Sequence, residues 1–448
     1  MIKLSKIIIL IFAVVLLCST CASAGFFDFF TGFLIKEDFC GDGYCSAKEE
    51  AGYASWGECP DDCAGRVVPS ETDMYLDIPD ANNPKILFDA VSKHIFVAWE
   101  ENDAIYGQIV SLEGRTIVKK FMISYEGEKS FDVQVDIDSN TAYIIWAVDE
   151  SSNKIRMKTY DFDGQQLDVK TIAQSINELS SPDIAALDYK SVVTWTETSS
   201  EKQSTGPIAY TWDIKVKLME FGQEDADGVV ATLTDDTKRD NGLETPRVAV
   251  SEKERFIITW TDLSGEGDGS GSSIHAQEYY LKATGITPKK KGDTFRVNTI
   301  KAGDQKNADV SYTKDGYFVV TWETNPSTAG FSSIVAKRFR PNHKTKNEEL
   351  QVSSSRKGHQ YNPNIVGNKH HYIINWQGGG NEDGYGYAIF SQFFDEGGNR
   401  IGTNDMINGY GGGEQIMPAI AYYDSNQALH AWYGKQKDGD EGITLKIF

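Results

Sequence analysis

The sequence predicts an all-β protein: a seven-bladed β-propeller closed by an N-terminal strand, preceded by a small disulfide-rich N-terminal module. Three features of the 448 residues lead to this prediction. A Trp residue follows a β-rich run seven times, another apolar run precedes each of these across a short turn, and the chain ends one strand short of a complete last repeat. The 41 Gly residues, against 12 Pro, suit an all-β chain with many tight turns.

The Trp repeat sets the number of blades. Successive Trp residues are 47, 49, 65, 62, 54 and 56 residues apart, the length of a four-stranded blade with its loops. We expect all seven to be core residues between neighbouring blades, and the acids that follow five of them to be features of the blade rather than catalytic groups. The Trp residues are Trp99, Trp146, Trp195, Trp260, Trp322, Trp376 and Trp432, and the acids are Glu100, Asp149, Glu197, Asp262 and Glu323.

Each repeat predicts four strands. A continuous apolar run such as 248–250 is the inner strand, and the run ending in Trp is the second. A third run such as 274–279 alternates with period two, as a half-buried strand does, and a short run such as 350–352 forms the outer edge. Residues 71–448 therefore make up the propeller.

The ring closure is predicted by counting strands. Residues 442–448 are the third strand of blade seven, and the chain stops there. Residues 74–78 precede the first inner strand and have no blade of their own. Pairing these two segments completes the seventh sheet and removes a free edge.

The N-terminus predicts export. Lys3 and Lys6 precede an apolar run over 7–18 and a small-residue site at 22–24, the pattern of a signal peptide spanning residues 1–24. A retained anchor is the alternative, because the linker over 25–37 is also apolar. The mature protein is expected to be secreted or at the cell surface, with no membrane insertion after cleavage.

Four cysteines cluster at residues 38–65. In an oxidising compartment Cys40, Cys45, Cys59 and Cys63 predict two disulfides in one of three pairings, with a four-thiolate zinc site as the alternative. The CGDGxC…CPxDC pattern resembles a small Cys-rich module of archaeal and bacterial surface proteins. Asp42, Glu49, Asp61 and Asp62 within it are either exposed acids or oxygen ligands for Ca²⁺.

Charge narrows the partners. With 44 Lys+Arg against 65 Asp+Glu the formal net charge is −21, which opposes binding to nucleic acid or to an acidic membrane surface. The expected partner is a glycan or protein at the cell surface, or a metal ion.

No catalytic motif is present. The sequence contains no phosphate-binding glycine loop, HExxH or GxSxG motif, and its seven His residues are scattered. Glycosidase-type carboxylate pairs remain open, because only a structure brings them together. The V-x-W-x-acid repeat over 71–448 resembles secreted propeller-like repeats of bacterial and archaeal surface proteins, which implies a fold and a location but no catalytic residues.

The expected function is therefore a non-enzymatic binding or adhesion scaffold, with a glycosidase-like carbohydrate-active enzyme as the alternative. Loops between second and third strands are long, whereas turns between first and second strands are short, which places the binding surface on the long-loop face. Its candidate ligand-binding residues are Tyr210, Trp212, Phe331, Tyr385 and Tyr433, and its candidate Ca²⁺ ligands are Asp262, Asp268 and Asp383. Solvated loops without a ligand are the simpler interpretation.

Overall fold

The computed structural model describes residues 73–448 apart from 189, 202–208, 221–230, 234–241, 265–270, 282–287, 314–315, 326–329, 342–347, 355–357, 369, 380–385, 410–412, 425–426 and 437–438. The signal peptide, the linker and the Cys-rich module lie outside these residues. So do Tyr385, Asp268 and Asp383. Within the described residues no helix has the length and apolar character needed to cross a membrane.

Seven four-stranded antiparallel sheets form the blades, so the predicted all-β propeller is confirmed. Blade 1 contains β2 (Asn82–Asp89), β3 (His94–Glu101), β4 (Ala104–Ser111) and β5 (Thr116–Met122). Blade 2 contains β6 (Lys129–Asp138), β7 (Thr141–Asp149), β8 (Asn153–Tyr160) and β9 (Gln166–Ser175). Blade 3 contains β10 (Glu178–Leu187), β11 (Lys190–Glu201), β12 (Ala209–Glu220) and β13 (Ala231–Thr232). Blade 4 contains β14 (Leu243–Ser251), β15 (Arg255–Asp262), β16 (Ser273–Tyr280) and β17 (Lys289–Arg296).

Blades 5 to 7 repeat this order. Blade 5 contains β18 (Asp304–Tyr312), β19 (Phe318–Asn325), β20 (Ser333–Phe339) and β21 (Leu350–Gln351). Blade 6 contains β22 (Gln360–Gly367), β23 (His371–Gly378), β24 (Ala388–Asp395) and β25 (Arg400–Met406). Blade 7 contains β26 (Gln415–Tyr422), β27 (Ala428–Lys435) and β28 (Glu441–Ile447), and its fourth strand is β1 (Met74–Leu76).

The ring closes as the sequence predicts. β1 pairs antiparallel with β28, with Met74 opposite Leu445 and Leu76 opposite Ile443. Ile443 and Leu445 are fully buried, and Met74 and Leu76 are almost so. The two ends of the described ring are thus joined by hydrogen bonds and by a shared apolar cluster.

The seven Trp residues of the repeat fill the spaces between blades, as expected. None of them is more than 5% exposed. Each packs against the third strand of the preceding blade: Trp146 shares a cluster with Ile105 and Ile109, and Trp376 shares one with Ile334 and Ala336. Because each Trp belongs to a contact between two blades, the repeat specifies the ring and not only the single sheet.

The innermost strands differ from the sequence expectation. β2, β6, β10, β14, β18, β22 and β26 line the central channel, but they are not continuously apolar. In β6, for example, Gln134, Asp136 and Asp138 alternate with Val133, Val135 and Ile137. One face of these strands packs into the blade and the other faces the channel, so period-two alternation applies here as well.

Candidate functional site

The channel opens into a cavity of about 360 Å³ where the seven inner strands begin. At this end every inner strand has a β-bulge, and each bulge contains a residue with positive φ. Asn and Asp tolerate this left-handed conformation best and occupy four of the seven positions, whereas the β-branched Thr245 and the long Met417 are disfavoured there. The residues are Asn83, Asp132, Ser181, Thr245, Asn307, Asn362 and Met417. All seven line the cavity, which we call the channel mouth.

Side chains after the repeat Trp join neighbouring bulges at the mouth. Glu100 accepts hydrogen bonds from Asn83 Nδ2 at 2.6 Å and from the backbone N–H of Val133 in the next blade at 3.0 Å. Glu323 makes similar bonds between blades 5 and 6, to Asn307 Nδ2 (2.8 Å) and Asn362 N (2.9 Å). At these two positions the acid after the Trp therefore links neighbouring blades.

Gln377 of blade 6 also links two neighbouring bulges, although its side chain is uncharged. Its Oε1 accepts from Asn362 Nδ2 at 3.2 Å and from Met417 N at 2.9 Å. An uncharged acceptor therefore suffices to link two bulges, which indicates that the acids hold the rim together through hydrogen bonds and not through charge.

Directly below the mouth, the residue that follows each bulge points into the channel. The six polar members form what we call the channel ring, and Ala419 occupies the seventh position. Lys85, Gln134, Arg247 and Asn364 line both the mouth and a second cavity of about 450 Å³ deeper in the channel. The channel ring consists of Lys85, Gln134, Asp183, Arg247, Asp309 and Asn364.

Burial and mutual charge shift the pKa values of the ionisable ring residues. Burial, reinforced by the Arg247 guanidinium, lowers the pKa of Lys85 to about 8. Burial raises the pKa of Asp183 to about 6 and that of Asp309 above its usual range, although Arg247 opposes both shifts. Burial also raises the pKa of Asp136, which lies two residues after Gln134 in β6 and lines the deeper cavity, to about 7. The channel is thus a poorly solvated site in which charges of both signs interact.

Four aromatic rings form a row on the same face, beside blade 6. The Phe331 ring lies edge-on to His359, with centroids 5.2 Å apart, and His359 stacks on Tyr361 at 5.4 Å with the ring planes 8° apart. Tyr387 follows at 6.1 Å from Tyr361. Phe331 is 53% exposed and the other three are half-buried. We call this set the aromatic row; its member Tyr361 directly precedes the mouth residue Asn362 in the chain.

Local contacts hold the row in place. The backbone N–H of Ser332 donates to His359 Nδ1 at 3.1 Å, so the hydrogen of the neutral imidazole is on Nε2. A Cβ at Gly379 would lie 3.0 Å from the Tyr387 ring, so the glycine lets that ring sit close to the backbone. Glu414 accepts from Tyr387 N at 2.9 Å. These contacts position the His359 ring and the start of β24, which Tyr387 directly precedes.

Of the predicted ligand-binding residues that the structure describes, only Phe331 belongs to the aromatic row. Tyr210 and Trp212 are not in a loop, because β11 and β12 continue as a long hairpin in which Trp212 pairs with Thr198. Their rings contact each other at 5.8 Å, and Trp212 is half-buried over Gly242. They are positioned in blade 3, away from the row in blades 5 and 6.

Two further predicted site residues also lie in strands. Tyr433 is in β27, where its hydroxyl donates to the carbonyl of Pro79 and contacts Glu441 at 3.0 Å. Asp262 ends β15 with only 2% exposure, and its Oδ1 accepts from Ser264 N at 2.9 Å. Among the described residues no group of three or more His, Cys, Asp or Glu side chains is arranged to hold a metal ion.

Sequence reasoning missed His359, Tyr361 and Tyr387. Each lies next to the start of a strand, at a position that the Trp repeat does not mark. A usable signal was present, because all three fall on the long-loop face that the sequence already favoured.

No protein-family model matches the sequence, and no curated protein matches it. Solved structures are similar at low identity. A polysaccharide lyase, Uly1, is 10% identical, with 87% of this chain and 95% of that chain covered and a TM-score of 0.47. An α-L-arabinanase of Penicillium chrysogenum is 14% identical, with 72% of this chain and 94% of that chain covered and a TM-score of 0.44. A protein of unknown function from Dyadobacter fermentans is 11% identical, with 84% of this chain and 97% of that chain covered and a TM-score of 0.43. At these values the comparisons assign no activity to this seven-bladed propeller.

Proposed function

We propose that this protein is an exported, non-enzymatic glycan-binding propeller that acts outside the cell or at its surface. The observation that carries the proposal is the aromatic row beside the channel mouth. Apolar faces of sugar rings pack well on aromatic side chains, and preformed concave sites with a few convergent polar groups are typical of ligand binding. The signal-peptide pattern of residues 1–24 supports export.

The channel mouth supplies the polar half of such a site. Its volume of about 360 Å³ is within the range of small-molecule pockets, roughly 300–1,000 Å³. Asn82 and Gln134 can donate to and accept from sugar hydroxyls, and Lys85 and Arg247 can donate to them. A glycan lying along the row would place one residue over the mouth.

A carbohydrate-active enzyme is the second candidate, because Glu100 and Asp132 line the same cavity. Burial raises the pKa of Glu100, and the Asp132 carboxylate adds to this shift, which is the environment of a general acid. Against this role, Glu100 holds the rim as described, and Asp132 Oδ2 accepts from Ser181 N of the next blade at 2.9 Å. Both acids already have the partners that a blade contact requires.

A glycan array followed by calorimetry tests the proposal. For a glycan selected on the array, we expect Phe331→Ala to weaken binding about tenfold, as loss of one stacking contact worth about 1.4 kcal/mol does. Tyr210→Ala is the matched control, since Tyr210 is also an exposed aromatic residue but lies in blade 3.

Three results would contradict the proposal. Binding that survives Phe331→Ala but not Tyr210→Ala would move the site to blade 3. A protein that binds no glycan on the array is not a glycan receptor. Release of new sugar ends from the bound glycan, abolished by Glu100→Gln, would establish the enzyme instead.

A further inference from the structure

The channel ring has hydrogen-bond donors without partners. Among the described residues, Lys85 Nζ makes no hydrogen bond and no ion pair, and Arg247 donates only to the backbone carbonyl of Pro246, at 3.0 Å. The Gln134 amide makes no side-chain hydrogen bond to a described residue either. A guanidinium carries five N–H donors in a fixed fork, so most of those of Arg247 remain available to a ligand.

The acceptors of the ring, in contrast, already have partners. Asp183 Oδ2 accepts from Val248 N at 2.7 Å, and Asp309 Oδ2 accepts from Ile365 N at 2.8 Å. In both cases the donor belongs to the next blade in the ring. Asp309 Oδ1 accepts from Val310 N at 2.9 Å as well. The two carboxylates thus accept hydrogen bonds from backbone N–H groups, whereas the two cations line the channel.

This imbalance selects a ligand that brings acceptors. Lys85 and Arg247 are half-buried cations that line the same cavity without a hydrogen-bonded anion among the described residues, and an oxyanion in the channel would accept from their free donors. With both aspartates ionised the four charged ring residues sum to zero. Burial raises the pKa values of Asp183 and Asp309 and lowers that of Lys85, so it favours the neutral form of groups of both signs. The ring therefore differs from the acidic protein around it.

We propose that the channel ring binds an oxyanion carried by the glycan, with Lys85 and Arg247 as its direct contacts and Gln134 as a further donor. This inference rests on the proposed function and narrows it to acidic glycans. The same chemistry is offered by the carboxylate of a uronic acid and by a sulfate ester. A glycan lying on the aromatic row reaches the ring through the mouth, because Lys85, Gln134 and Arg247 line that cavity.

The test compares three trisaccharides by calorimetry: galactotriose, sulfated galactotriose and trigalacturonate. We expect at least one acidic trisaccharide to bind ten or more times tighter than galactotriose. Lys85→Gln and Arg247→Gln should each remove this preference, whereas Lys119→Gln, at an exposed lysine on the outer strand of blade 1, should keep it. The preferred acid identifies the source of the oxyanion. Thermal unfolding of each variant checks that the fold is intact, and the second ring variant serves if one does not fold.

The outcomes separate this inference from the proposed function. If all three trisaccharides bind equally, or if both ring variants keep the preference while Phe331→Ala weakens binding, the ring inference is wrong and glycan binding stands. Free galacturonate and galactose probe the ring without the row. A third outcome is that no trisaccharide binds, whereas galacturonate binds the wild type but not Lys85→Gln. In that case the proposed function is wrong and the ring site stands. Absence of all binding refutes both.

Discussion

Glu323 allows a direct test of how the rim of the mouth is held together. Its side chain is 1% exposed, and one carboxylate oxygen links Asn307 of blade 5 to the backbone of Asn362 in blade 6. The other oxygen, Oε2, has no hydrogen-bond partner among the described residues. Because Gln377 makes the corresponding link with an amide, the chain contains its own control for replacing Glu323 with Gln.

The two substitutions should have very different effects. Glu323→Ala leaves the partly buried donors Asn307 Nδ2 and Asn362 N without an acceptor. A fully buried donor without a partner costs about 1–3 kcal/mol, and water in the mouth lowers that cost, so the free energy of unfolding should fall by about 1–3 kcal/mol in total. Glu323→Gln keeps the acceptor and removes the charge, and at pH 5 we expect a change of less than about 1 kcal/mol.

The Gln variant should also change the pH dependence. Burial raises the pKa of Glu323 above the unfolded value of 4.5. The folded state therefore holds the proton more tightly, and wild-type stability falls as pH rises from the unfolded pKa to the folded pKa. Glu323→Gln lacks this loss and should be more stable than the wild type at pH 8.

Urea unfolding followed by Trp fluorescence at pH 5 and pH 8 measures both effects. Glu126→Gln, at an exposed acid, is the control for loss of one negative charge. If Glu323→Gln destabilises as much as Glu323→Ala at both pH values, the charge itself is required and the hydrogen-bond explanation of the rim is wrong.

Three further predictions concern the channel, the ring closure and the bulge at Met417. Asp136 Oδ2 accepts from Ala186 N at 2.6 Å, and the Asp136 pKa of about 7 lies above the unfolded value of 3.8, so wild-type stability falls between about pH 4 and pH 7. After allowance for channel water, Asp136→Asn should be about 1–3 kcal/mol more stable than the wild type at pH 8 and no more stable at pH 4. Equal stability of the two proteins at both pH values would refute this prediction. Deleting residues 443–448 removes the partner of β1 and should open the ring, so an unchanged melting temperature would contradict the closure. Met417→Asn places at φ 56 a residue that tolerates this conformation, and urea unfolding should show a gain of about 0.5–1 kcal/mol rather than a loss.

The loop predicted around Trp212 is the part of the sequence analysis that the structure corrects most. Trp212 lies outside the Trp repeat, and the sequence therefore predicts it to be a ligand-binding loop residue, yet it belongs to the long hairpin of β11 and β12. The polar residues over 198–201 are typical of a loop, but their pairing with 209–212 places them in a strand, because strand pairing overrides such local preferences. The aromatic row, in contrast, combines residues from three separate segments, and sequence order does not bring these together.

The sequence by itself determined the number of blades, the order of strands and the closure by residues 74–76. Those features depend on local patterns, on a Trp that recurs at one position and on a strand count, and all of these are visible along the chain. The tertiary structure alone decided which polar side chains meet. Lys158, Lys217 and Lys337 look like solvent-exposed members of alternating third strands, but each donates to a backbone carbonyl of the preceding blade. Lys85 and Arg247 are 162 residues apart in sequence and face one channel. Alternation shows that a side chain leaves the apolar layer, but not whether it enters water, a neighbouring blade or the channel, because that choice is made by the ring as a whole.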